Sequence, residues 1–275
     1  MARLGLRSSL TPWDIAAPRF GVGGLLLLPC LLRKGLAIDR LGWVGLMALV
    51  FGCGAPMVLL VNAGLLFAPA AHAGSLFSGT VPLMVALLAV PFLHEPFTTA
   101  KRAGFTMITG GAIGIVWNAG GIIGSRQPIG HAMFLGGAFL WAGYTVAMRR
   151  ARLDGLHAAA IAAVGTLVLY LPLYAVVAGS RLLDASLADV ALQAVVQGFL
   201  TAVLSLVLYG RAVSILGASG GAAFPALCPA MTAVLAIPIL GEWPAPMDWV
   251  AIVLISAGVY VVSGGPLPRR AKSTS

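Results

Sequence analysis

The chain has 275 residues, of which 60% are hydrophobic and 9% charged, far below the roughly 25% charged share of an ordinary soluble domain, so a water-soluble fold is excluded. The formal charge of +9 does not point to nucleic acid, because Lys and Arg sit in the gaps between apolar runs instead of forming one basic stripe. Cys30, Cys53 and Cys228 all fall inside apolar segments and read as small packing residues, with no disulfide, metal or cofactor role.

Residues 1 to 10 carry Arg3 and Arg7 but lack the apolar stretch and small-residue cleavage site of a signal peptide. Nine spanning segments follow in chain order: Ile15 to Leu32, Leu41 to Leu60, Ala73 to Leu93, Ala100 to Asn118, Ile129 to Met148, Ala158 to Val177, Val190 to Tyr209, Ala218 to Leu240, and Met247 to Gly264. Each approaches the roughly 20 residues that cross a hydrocarbon core of about 30 Å. A segment isolated in lipid must satisfy its own backbone hydrogen bonds, and none of these runs shows the alternation of a barrel strand, so all are predicted helical. Gly and Ala are frequent within them, as in Gly110-x-x-x-Gly114 and Gly217-x-x-x-Gly221, and permit close helix approach.

The strongest internal signal is a repeat at an offset of 147 residues. Ala71, Gly74, Phe77, Pro82, Ala86, Leu88, Ala89, Pro91, Leu93 and Glu95 match Ala218, Gly221, Phe224, Pro229, Ala233, Leu235, Ala236, Pro238, Leu240 and Glu242, and the match continues from Ile108 and Gly111 to Ile255 and Gly258. Two domains are expected, 1–128 and 129–275. Four segments precede residue 128 and five follow it, so the first repeat lacks a counterpart to the helix at Ile129, and Arg3, Leu4 and Gly5 read as the tail of that missing first helix, with a genuine nine-helix protein as the alternative. A repeat unit of five helices, an odd number, inserts its second copy upside down. Substrate is then held near the midplane of an inverted pair and access alternates between its two sides.

Alternate loops differ in charge. Arg33, Lys34 and Arg40, then Lys101 and Arg102, then Arg149, Arg150 and Arg152, then Arg211, and finally Arg269, Arg270 and Lys272 fall on one side, while Asp184, Asp189, Glu242 and Asp248 gather on the other with Arg126 and Arg181. An excess of Lys and Arg marks cytoplasmic loops, which places the C-terminus in the cytoplasm and the chain in the cell inner membrane.

Pro82 through Leu93-His94-Glu95-Pro96, and Pro229 through Leu240-Gly241-Glu242, resemble the Pro then Leu-Gly-Glu signature of the drug/metabolite transporter superfamily. Trp13 to Arg19-Phe20 resembles its second-helix entry, and Trp141, Tyr144 and Thr145 with Arg149 and Arg150 are similar to the helix that opens its second half. The resemblance covers essentially the whole chain. It implies an all-α polytopic fold of two inverted EamA-type repeats, ten helices in full with nine visible here, most like the bacterial aromatic amino-acid and paraquat exporters.

No Asp, Glu or Lys is expected at mid-helix, and from that absence facilitated transport is expected. Glu95 and Glu242 at helix ends read as loop anchors, Arg19 as a snorkelling anchor, and His131 and His157 as solvated residues near loop edges. Candidate substrate-binding residues are Trp141, Tyr144, His72, Ser75, Asn62 and Ser78. His72, Ser75, Gly79, Pro82 and Ala86 share one helical face, as do their partners Ser219, Ala222, Ala226, Pro229 and Ala233. The same faces also suit a tight packing seam. Pro82 and Pro229 interrupt backbone hydrogen bonding and are candidate hinges, with Phe77 and Phe224 as paired gates. Trp141 can stack on an aromatic substrate or contact an ammonium. The expected substrate is an amino acid or related amphipathic metabolite, and the expected working unit is one chain in the bilayer. Two further readings are a drug, cation, sugar-phosphate or nucleotide-sugar carrier and a structural membrane subunit. The phosphorylated substrates are disfavoured by the lack of a mid-helix Lys. No catalytic constellation is found, so enzyme activity is not expected.

Overall fold

The computed structural model describes residues 2–7, 10–93, 98–120, 125–177, 186–205 and 223–264, and among them there is no strand. The short helix α1 (Ala2–Arg7) leads into α2 (Pro12–Lys34). Thr11 and Asp14 close the start of α2 as a reciprocal capping box with Pro12 at the first position, where its missing N–H costs nothing. Then come α3 (Ile38–Cys53), α4 (Ala55–Gly64), α5 (Ala70–Ala73), α6 (Val81–Leu93), α7 (Thr99–Gly120), α8 (Gln127–Arg150), α9 (Gly155–Val177), α10 (Leu187–Gln193), α11 (Ala223–Leu240) and α12 (Pro246–Val262). Helical structure thus occupies each of the nine segments read from the sequence, as far as those segments are described.

Three of the spans are not continuous α-helix. Gly54 breaks the α3–α4 span with an extended backbone, and a Cβ there would collide with the Val50 carbonyl. Residues Gly74–Ser78 link α5 to α6 as a wide π-type turn, and Ala194–Leu204 extend α10 in the same way. The repeat offset carries Gly54 onto Thr201, so the equivalent spans of the two halves leave α-helical geometry at the same place. Such bulges inside helices are frequent at functional sites.

The packing shows the relation of the halves. Helices α7 and α12 are repeat equivalents and lie against each other. A Cβ on Gly258 would sit 2.7 Å from the Gly104 carbonyl oxygen, and one on Gly111 would sit 2.8 Å from that of Ala251. The offset of 147 residues exchanges these two contacts, Gly104 becoming Ala251 and Gly111 becoming Gly258. Early residues of one helix meet late residues of the other, so equivalent helices run antiparallel and the repeat is inverted. The pair α2 and α9 is antiparallel too, with Asp14 against Tyr174 and Leu27 against Ala159 and Ala160, and α5 packs on α11. The seam uses glycines seven residues apart. Gly110 and Gly114, the pair expected from the sequence, only graze α12.

The bundle therefore has two ends. One, where α2, α5, α8 and α12 begin, holds His72, His131 and Asp248 and is called the histidine end. The other holds Arg33, Lys34, Arg40, Lys101, Arg102, Arg149, Arg150 and Arg152 at the starts or ends of their helices. There Lys34 donates to Asp154 at 2.7 Å and His157 Nε2 donates to the Gly35 carbonyl at 2.8 Å, both tying the first half to the second. The Lys34 ammonium holds the Asp154 carboxyl below the usual carboxylate range.

The seam predicts a graded response. Gly258→Ala must push α12 away from the Gly104 backbone and should cost about 1–3 kcal/mol, as overpacking does elsewhere. Gly21→Ala, which meets nothing within 4 Å, should leave stability unchanged. Thermal unfolding of the two variants in detergent checks this; equal melting temperatures would count against the seam.

Candidate functional site

Rings from both halves meet in one buried cluster: Trp13, Phe20 and Phe77 from the first, Trp141, Tyr170 and Tyr174 from the second. Trp141 is half-buried on α8. It meets Phe77 edge-on at a centroid distance of 6.3 Å and 85°, and Tyr144 tilted at 5.5 Å. On the other side Tyr170 stacks on Trp13 at 5.7 Å and on Tyr174 at 5.8 Å. The Gly74–Ser78 turn carries Phe77, so a departure from regular helix sets the position of one ring of the array.

Tyr144, 6% exposed, packs between α3 and α9 beneath Trp141, closing the floor of the array more than facing it. Asn62 is buried, and its amide nitrogen has no hydrogen-bond partner among the described residues. Ser75 is fully buried and donates to the Ala71 carbonyl at 3.0 Å, so its own helix occupies it. Ser78 is half-buried. Pro82 is the second residue of α6, so the break in backbone hydrogen bonding lies upstream of it in the π-type turn. Pro229 is inside α11 and buried. Ala226 and Ala233, on its face, are also buried. The side chain of Phe224, together with Ser219, Ala222, Glu95 and Arg211, lies outside the described residues.

Several expectations are corrected. His131 and His157 are 1% and 4% exposed, not solvated. His72 is engaged on both sides, its Nδ1 3.0 Å from His131 Nε2 and its Nε2 3.2 Å from Asp248 Oδ2. Two acids are buried although neither stands at mid-helix: Asp14 and Asp248 are 1% and 5% exposed. Asp14 Oδ2 accepts from the Thr11 N–H at 2.8 Å and the Thr11 hydroxyl at 2.6 Å, and Asp14 Oδ1 accepts from the Tyr174 hydroxyl at 2.5 Å. Both acids are third residues of helices, where a carboxylate returns to cap its own helix start. The sequence pattern Thr-x-x-Asp at residues 11–14 carried this signal. The burial did not show, because the covering Tyr174 comes from the other half.

Glu242 does anchor a loop. It accepts from Arg3 Nε and from the Ala70 N–H, each at 2.9 Å, joining α1, the start of α5 and the α11–α12 loop. Arg19, half-buried on α2, places its guanidinium 6.0 Å from the Phe20 ring centre. An open groove of about 570 Å³ between α6, α7 and α8 is lined by Leu83, Met84, Ile113, Val116 and Trp117. These are side chains suited to lipid, and the groove is separate from the ring array.

Inverted repeats, broken helices and a shared aromatic cluster define a membrane protein of the transporter class. The chain belongs to the EamA-like transporter family, whose model matches residues 1–117 and again 128–264. It is 32% identical over 220 residues to a protein of Streptantibioticus cattleyicolor named "Probable terminal-alkyne amino-acid exporter", covering 79% of this chain and 72% of that one. A solved crystal structure shares the fold at a TM-score of 0.59 and 20% identity, covering 94% of this chain and 90% of the other.

The Asp14 cluster is open to test. Tyr174→Phe removes the hydroxyl that donates to Asp14 Oδ1 and should destabilise the protein by about 1–3 kcal/mol, the cost of losing a hydrogen bond to a charged group. Thermal melting in detergent reads this, and an unchanged midpoint would show that Tyr174 does not support the carboxylate.

Proposed function

We propose that this protein exports small amino acids, aromatic and alkyne-bearing ones among them, by alternating access across the cell inner membrane. The observation that carries the reading is the ring array, to which each inverted half contributes and which the π-type turn at Gly74–Ser78 helps to place. Exchange between two near-mirror arrangements of the halves exposes such a midplane site to each side in turn. The name of the Streptantibioticus relative supports an amino acid as cargo. An alkyne or phenyl side chain is a flat or rod-shaped apolar group that Trp141 and Phe77 can flank, and the substrate ammonium finds the negative face of a ring. The cations gathered at the end opposite the histidines make that end cytoplasmic by the positive-inside rule. The halves divide near residue 128, each moving as one body, with a single chain as the working unit.

Reconstituted into liposomes, the protein should catalyse counterflow of labelled phenylalanine and propargylglycine. Trp141→Ala should lower the rate about tenfold, the equivalent of losing one aromatic contact of about 1–1.5 kcal/mol. Trp117→Ala, at a position 82% exposed toward lipid, should not change it. Counterflow that survives Trp141→Ala undiminished would remove the array from the transport path.

A further inference from the structure

A second buried constellation stands apart from the ring array. His72 on α5, His131 on α8 and Asp248 on α12 form one chain of contacts, at 3.0 Å between the rings and 3.2 Å from His72 to the carboxylate. All three are at most 5% exposed. Asp248 Oδ2 also accepts from the Ala245 N–H at 3.0 Å, and Asn118 approaches the carboxylate from α7. Among the described residues, the atoms at the two extremities of the chain, His131 Nδ1 and Asp248 Oδ1, have no hydrogen-bond partner.

The surroundings hold little else that is charged. Elements α4, α6 and the Gly74–Ser78 turn bring no ionisable side chain, and α11 brings only Cys228. On α7 the cations Lys101 and Arg102 lie some 16 residues before Asn118, about 24 Å away at the helical rise. Asp39 and Arg40 on α3, Arg149 and Arg150 on α8, and Tyr260 on α12 are likewise at or near the opposite end, and Tyr144 is deep in α8. At the histidine end Arg3 is paired with Glu242, and the Arg126 guanidinium sits 5.3 Å from the Phe67 ring centre. Among the described residues, the cation-forming group in contact with Asp248 is thus His72, with His131 behind it.

We propose that His72, His131 and Asp248 form a proton-binding site whose occupancy is tied to the opening of the histidine end, so that proton movement is coupled to transport. The proposal rests on the transport reading above. With Asp248 ionised and both rings neutral, His72 Nε2–H donates to Asp248, and His72 Nδ1 accepts from His131 Nε2–H. His131 Nδ1 is then a bare lone pair, which matches its lack of a partner. A proton arriving from water at that nitrogen makes His131 cationic. Transfer of the shared proton from His131 Nε2 to His72 Nδ1 leaves His131 neutral in its other tautomer and His72 as an imidazolium against the Asp248 carboxylate. One proton enters and the cluster changes from −1 to neutral.

Both contacts made by His72 cross from the first half to the second. Opening this end parts α5 from α8 and α12, breaks both contacts and lets water reach the carboxylate. The closed and open arrangements therefore bind the proton with different affinity, and by linkage the proton biases which arrangement is populated. A buried carboxylate whose only counter-ions are histidines is costly without its proton, which is why proton relays in membranes use such groups.

Two readouts on the full-length protein test this. The chain has 4 histidines, so ring-¹⁵N labelling resolves each against its single His→Gln variant. Across the pH range in which the protein stays folded, the rings should report the uptake of one proton as a single shared step. Asp248→Asn should lower that midpoint by more than about one pH unit, since the imidazolium loses its anion. In proteoliposomes, an imposed pH gradient should drive phenylalanine accumulation of about tenfold per pH unit at one proton per substrate. Asp248→Asn and His131→Gln should keep counterflow and lose that accumulation. Rings that stay neutral across the range, or accumulation indifferent to the gradient while counterflow persists, would overturn the proposal. A wild type that titrates as expected yet exchanges neither phenylalanine nor propargylglycine would sink the transport reading and leave the proton-binding site standing.

Discussion

Contact of backbone on backbone along α7 and α12 is the constraint from which the arrangement of the other helices follows. In lipid the hydrophobic effect gives helices no reason to associate, so packing and internal hydrogen bonds must do it. Gly104, Gly111 and Gly258 let two helices approach until a Cβ would touch a carbonyl. Because Gly111 and Gly258 are repeat equivalents, the seam is symmetric about an axis between the halves. Once that axis is fixed, α2 must run antiparallel to α9, and it does. The aromatic cluster lies among α2, α4, α8 and α9, with Phe77 reaching it from the π-type turn.

The polar groups are distributed by a complementary rule. Inside the spans the hydroxyls of Ser75, Thr80 and Thr145 donate back to their own helices and make no demand on a neighbour. The groups that cannot do so, the carboxylates of Asp14 and Asp248, stand at helix starts, where bare N–H groups are available. Each is then covered by a side chain of the opposite half, Tyr174 over Asp14 and His72 over Asp248. Cohesion between the halves is thus largely apolar along the helices, with Thr166 donating to the Val50 carbonyl at 3.3 Å, and ionic or hydrogen-bonded at their ends.

Helix type, repeat offset and inversion were legible because they depend on local composition and on identities such as Pro82 with Pro229. The anchoring role of Glu242 was legible for the same reason, as it follows a helix end directly. The histidines were not. His131 and His157 lie within a turn of a helix start, a position that is usually wet, and only a partner far along the chain, His72 for one and Gly35 for the other, buries each of them. Asp14 was hidden in the same manner: its capping box is local, its burial under Tyr174 is not. The break at the third visible span was visible as Pro82 but displaced, since the backbone widens several residues earlier around Phe77 to avoid stranding carbonyls.

The offset of 147 residues also pairs Lys101 with Asp248. Two copies of one sequence inserted in opposite senses put that position on opposite faces of the bilayer, where a lysine is favoured on one and disfavoured on the other. The copies therefore had to diverge there in charge. A molecule with perfect two-fold symmetry would be energetically degenerate, its two ends equivalent. At this pair the degeneracy is lifted, by the half-buried Lys101 on one side and an acid covered by His72 on the other. The requirement of membrane insertion thereby leaves the two ends of the bundle unequal in energy.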